Sequence, residues 1–148
     1  MNELSGLPTH PMLVHLAVVA IPVVALAAIA VAARTTWLRR WGLHVAIASV
    51  LMTIYTAFVM ESGEHLDDAM DLGAVLDDHR SLAETSRLLV VAMCLAVISL
   101  VTVDRLWSGG RRTGQAVHPA AATVRRLVGG LTMAISVLAI VWIVRTGH

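Results

Sequence analysis

Four long apolar runs, separated by short polar stretches, divide the chain: Leu13–Ala33, Leu43–Met60, Leu82–Val103 and Leu127–Val144. A helix rises about 1.5 Å per residue, so roughly 20 residues cross the hydrocarbon core of a bilayer. Each run is near that length, and none alternates apolar with polar positions as a membrane barrel strand must. The pattern predicts four transmembrane helices, over about residues 11–33, 41–64, 79–104 and 123–145. Together with short loops they use up residues 1–148 as one all-α domain, an integral membrane antiparallel four-helix bundle.

Helices in lipid gain little by burying apolar surface against one another, so small residues and polar contacts must hold them together. In helix two, Gly42, Ala46, Ser49, Thr53 and Ala57 recur at three- and four-residue spacing and share a face. Continued through Met60, that face reaches Glu64, which should then point toward the bundle. Helix three sets His79, Ala83, Ser86 and Val90 along one stripe, and helix four opens with Gly129-Gly130 before Thr132 and Ser136. Helix one begins at Thr9-His10-Pro11, where a proline suits the first turn. Pro22 instead removes the hydrogen bond to the Val18 carbonyl. It lies about two turns from His15 on the same face, so a bend there would open space beneath His15; membrane helices also tolerate proline without such a role.

Charge orients the bundle. Lysine is absent, so all 11 positive side chains are arginines. Arg34, Arg39 and Arg40 fall in the first loop, and Arg105, Arg111, Arg112, Arg125 and Arg126 in the third. The second loop is acidic, with Glu61, Glu64, Asp67, Asp68, Asp71, Asp77 and Asp78 against Arg80. Short positive loops stay cytoplasmic, which puts the second loop and both termini outside. The net charge of +1 conceals this asymmetry. Trp37, Trp41, Trp107 and Trp142 all fall at the interfaces this topology defines, where an indole's apolar ring and polar N–H are both satisfied. The first segment reads as a span rather than a cleaved leader, because Glu3 and no basic residue precedes it and its apolar run is too long. Cys94 excludes an intramolecular disulfide and a CxxCH haem attachment, and its expected role is packing.

The same topology gathers His10, His15, Glu61, Glu64, His65 and His79 at the outer face. An imidazole at the depth of His15 is costly unless it is hydrogen-bonded or ligating. Most such histidines bond a neighbouring carbonyl, but His15 has company in His10, His79 and the nearby carboxylates. Imidazole with carboxylate suits zinc, iron or copper, and histidines on two facing helices suit axial ligation of haem b. The candidate metal ligands are His10, His15, Glu64, His79 and, in second place, Glu84. Each has a plainer alternative: Glu84 neutralised by Arg80 and Arg87, Glu61 with His65 as a surface pair, and the aspartates as a solvated loop.

Gly6-Leu7-Pro8-Thr9-His10-Pro11-Met12-Leu13-Val14-His15 resembles the opening of a bacterial membrane-protein family known as domain of unknown function 2231. That family enters its first membrane helix through Leu-Pro-x-His-Pro-x-x-Val-His, matched here by Leu7, Pro8, His10, Pro11, Val14 and His15. Ser62-Gly63-Glu64 and the His79 to Glu84 segment are also similar to its actinobacterial members. Family members usually follow the second histidine with Phe-Pro, whereas this chain has Leu16-Ala17 and delays its proline to Pro22. The resemblance implies a four-helix protein of a bacterial cytoplasmic membrane. Relatives fused to Rieske or cytochrome c modules imply a setting in respiratory electron transfer, with quinone or respiratory-chain proteins as partners.

Three functions compete. The first is a metal or haem subunit at the outer face, and the second a non-catalytic scaffold or accessory subunit whose histidines serve polar packing. The third is a small proton or ion carrier using Glu64 and His15, which would need an oligomer to form a pore. No nucleotide loop, nucleophile–base pair or nucleic-acid signature points to an enzyme acting on its own or to a nucleic-acid partner.

Overall fold

A computed structural model describes residues 3–4, 7–70, 74–112 and 119–146, with side chains described for 13, 15–61, 81–108 and 120–145. Two two-residue extended segments, β1 (Glu3–Leu4) and β2 (Leu7–Pro8), pair antiparallel with Leu4 opposite Leu7. Four helices follow: α1 (Thr9–Ala33), α2 (Thr35–Met70), α3 (Ala74–Arg112) and α4 (Pro119–Thr146). Each contains an apolar span long enough to cross a bilayer: His15–Ala33, Thr35–Glu61, Ser81–Ser108 and Ala120–Arg145.

The helices exceed the ranges that hydropathy predicts. The first loop contracts to Arg34, whose carbonyl accepts the Leu38 N–H at 2.9 Å, so Arg39 and Arg40 are already helical. At the other end, the acidic stretch continues α2 to Met70, and α3 begins at Ala74. Hydropathy ends a span where charge begins. Leu, Met, Ala and Glu remain good helix formers in water, so the backbone continues past the apolar boundary.

Each helix packs on its two neighbours, in the order α1, α2, α3, α4 and back to α1, while α1 and α3 barely touch across the diagonal. The buried positions follow a seven-residue repeat. On α2 they are Gly42, Val45, Ser49, Met52, Thr56 and Val59; on α3, Val90, Met93, Val97, Leu100 and Asp104. On α4 they are Gly129, Thr132, Ser136, Ala139 and Ile143. Alternating steps of three and four keep one seam against its neighbours along the whole helix. The predicted α2 face matches at Gly42, Ala46 and Ser49, but Ala57 is exposed and Thr56 and Val59 are buried instead. Repeated four-residue steps outrun the 3.6-residue turn, so that reading drifts off the seam toward lipid.

Two apolar clusters fill the seam. One unites Ala28, Val31, Leu38, Val45, Ala46, Val97, Leu100 and Val101 near Arg34; the other joins Ile21, Met52, Val90 and Ile143, one from each helix. Most buried hydroxyls are bonded within helices or across them, while Ser136 Oγ has no hydrogen-bond partner among the described residues. Ser49 donates to the Val45 carbonyl, and the single Thr132 hydroxyl proton is shared between the Val128 carbonyl at 2.8 Å and the Ala96 carbonyl of α3 at 3.3 Å. Outside the seam, large side chains such as Leu51, Phe58, Leu95, Leu127 and Leu138 are exposed. That apolar belt around all four spans is a lipid-facing surface, and the protein is a membrane protein with four candidate spans.

Candidate functional site

The Ile21–Met52–Val90–Ile143 cluster is the natural reference for the end of the bundle that carries the candidate ligands. Two contacts tie the helices beyond it. The Tyr55 hydroxyl donates to the Leu13 carbonyl at 2.8 Å, joining α2 to α1, and Trp142 Nε1 donates to the Leu82 carbonyl at 3.4 Å, joining α4 to α3. This places Trp142 at the same level as the start of the third span, where its indole N–H meets a helix carbonyl.

Helix phase separates the candidates. His15 lies six residues before Ile21, and six steps of about 100° leave it about 120° away around α1. It is exposed, on the outward side of the helix. Glu84 stands in the same relation to Val90 on α3 and is likewise exposed. Of its plainer alternative, neutralisation by Arg80 and Arg87, the Arg80 side chain lies outside the described residues, and the ion pair found between described side chains is Arg39 with Asp104. Glu61 is exposed as well.

The side chains of His10, Glu64, His65, His79 and Arg80 lie outside the described residues, but their backbone positions are helical. His10 is eleven residues before Ile21, and His79 is eleven residues before Val90. Steps of four, three and four connect each pair, through Ala17 and residue 14 on α1 and through Ser86 and Ala83 on α3. Both positions are therefore in register with the seam and about 16 Å along the axis from the cluster. The same steps from Met52 pass Thr56 and Val59 and arrive at residue 63, one short of Glu64. The expectation that Glu64 continues the buried face of α2 depended on Ala57, which is exposed. Among the described residues, no three His, Cys, Asp or Glu side chains gather as a metal site.

The opposite end holds polar contacts that the sequence reading passed over. Asp104 of α3 is buried, and its Oδ2 lies 3.6 Å from Arg39 Nε of α2. Arg125 of α4 donates from a terminal guanidinium nitrogen to Thr35 Oγ1 at 2.7 Å. The signal was present: Asp104 follows Val97 by seven residues and Leu100 by four, so it sits on the seam, and a carboxylate there needs a cation. A loop-by-loop count of charge hides it, because its single negative charge is outnumbered by arginines.

No curated protein and no solved structure matches the chain. The family described as "Predicted membrane protein (DUF2231)" matches residues 6–148, and the chain belongs to it.

Proposed function

We propose that this protein is an antiparallel four-helix membrane subunit that holds haem b or a transition-metal ion (Zn, Fe or Cu) at its outer end. His10 and His79 are the principal ligands. One observation carries the reading: the helical backbone positions of these two residues are each eleven residues from a member of the same cluster, Ile21 or Val90, and in register with the seam, on helices that oppose each other across the diagonal. Two neutral imidazoles approaching from opposite sides suit axial haem ligation or two positions of a metal ion's coordination shell. A bound redox centre would supply one-electron chemistry near the outer surface. His15, Glu64 and Glu84 fall off the seam and take outer or second-tier roles, as hydrogen-bond partners for a ligand or for the acidic helix ends.

The topology follows from charge. The arginine-rich end faces the cytoplasm and the acidic helix ends face outward, with both termini on the outer side. In a bacterial cytoplasmic membrane such a centre would exchange electrons with quinone or with an external respiratory partner. An absorption spectrum of detergent-purified protein, combined with elemental analysis, tests the reading. A Soret band supports haem, and a stoichiometric transition metal without that band supports a non-haem centre. Absence of both removes the proposal and leaves the scaffold reading.

A further inference from the structure

Six arginines with described side chains stand at the end opposite the histidines: Arg34, Arg39, Arg40, Arg105, Arg125 and Arg126. Among the described residues, Asp104 is the one carboxylate there, and Arg39 faces it. The remaining positive charge is held in a specific arrangement. The Arg34 guanidinium carbon lies 5.1 Å from the centre of the Trp37 ring, and that of Arg40 lies 5.6 Å from the Trp41 ring. A guanidinium stacked on an indole keeps its N–H edge free for an anion. The Arg125 bond to Thr35 brings a second guanidinium, from α4, to the residue next to Arg34. One cation of the turn itself and one from α4 are thus held at adjacent positions of the chain, Arg34 and Thr35.

We infer that this turn binds the phosphate of an anionic phospholipid, with Arg34 and Arg125 as its ligands. The depth of the site and the surface below it select a lipid. Trp37, Trp41 and Trp107 are exposed at this end, and exposed indoles settle at the headgroup layer. Further along these helices toward the middle of the spans, exposed apolar side chains such as Leu43 and Ile47 on α2 and Leu127 and Leu131 on α4 belong to the apolar belt, against which acyl chains can lie. A soluble anion would use the guanidiniums but not that apolar surface. Paired guanidiniums form charge-assisted, bidentate bonds to phosphate oxygens, so the contact exceeds the diffuse attraction of a positive loop. The inference is independent of whether the histidine end holds a metal, because none of its residues lies there.

Lipid retention measured by native mass spectrometry, after incubation with phosphatidylglycerol or phosphatidylcholine micelles, tests this directly. The wild-type chain should retain phosphatidylglycerol and not phosphatidylcholine. Arg34→Gln and Arg125→Gln should each weaken retention by more than the roughly fivefold that diffuse attraction of about 1 kcal/mol per basic residue gives, and the double variant by more than about 25-fold. Arg34→Lys with Arg125→Lys should recover part of the loss while showing that the fold tolerates change at both positions. Arg145→Gln, at the far end of the fourth span, should change nothing. Equal retention of phosphatidylcholine, or unchanged retention in the double Gln variant, would overturn the site. Displacement of the lipid by millimolar inorganic phosphate would overturn its assignment to a lipid.

Discussion

The two ends of the bundle differ in how they are held. At the arginine end, charge and hydrogen bonds cross between helices: Arg39 to Asp104 joins α2 to α3, and Arg125 to Thr35 joins α4 to α2. Gly42 also lets α2 and α3 approach closely, with Val101 filling the space a side chain would need. At the histidine end, the described ties are single neutral bonds from Tyr55 and Trp142 to backbone carbonyls. Polar groups within lipid are kept where they bond across helices or where they serve a site. The arginine end uses its polar groups for the first purpose. At the histidine end the two described bonds serve the same purpose, and the backbone positions of His10 and His79 are in register with the seam.

The largest test of this contrast is steric. A Cβ at Gly42 would stand 3.0 Å from Leu38 Cδ1 and 3.1 Å from Val101 Cγ2, whereas one at Gly130 meets nothing within 4 Å. Gly42→Val should lower the thermal unfolding midpoint in detergent, corresponding to about 2–3 kcal/mol of overpacking, and Gly130→Val should leave it nearly unchanged. Equal effects at the two glycines would mean that α2 and α3 do not approach as described.

The electrostatic test is smaller. Arg39→Met leaves the Asp104 carboxylate buried without its cation, a loss of about 1–2 kcal/mol given that Arg39 is half exposed. Replacing both, as Arg39→Met with Asp104→Leu, should restore much of that stability. If the double variant is no better than the single one, the pair is not what holds this junction. Smaller still is Trp142→Phe at the other end. It removes one 3.4 Å bond to the Leu82 carbonyl and should cost about 0.5 kcal/mol, read as a slight drop in midpoint. A drop as large as that of Gly42→Val would reverse the ranking of the two ends.

The number of spans, the all-helical class and much of the packing are legible in the sequence, because lipid forces each span to be long, apolar and lined with small residues where it touches another. Ala46, Ser49, Val90, Thr132 and Ser136 are buried as their spacing predicts. Two kinds of residue were misread for physical reasons. Ala57 and Gly130 are small like their buried neighbours yet face outward, since composition identifies a small residue but only the phase of the seven-residue repeat says which side it occupies. Asp104 was lost among arginines, because a loop-by-loop charge count discards the one residue whose sign is opposite and whose position on the seam makes it structural. The sequence groups the candidate ligands at one end of the spans, and the side chains of His10, Glu64 and His79 lie outside the described residues. Their division into seam positions (His10 and His79) and outward positions (His15 and Glu84) required the register that Ile21 and Val90 provide.

The most direct measurement is the haem or metal content per chain of the purified wild type and of four single variants: His10→Gln, His79→Gln, His15→Gln and Glu84→Gln. The account predicts that the wild type carries about one centre, that either seam variant loses most of it, and that both outward variants retain it. A wild type without a centre, or a loss in His15→Gln while His10→Gln and His79→Gln stay loaded, would contradict it.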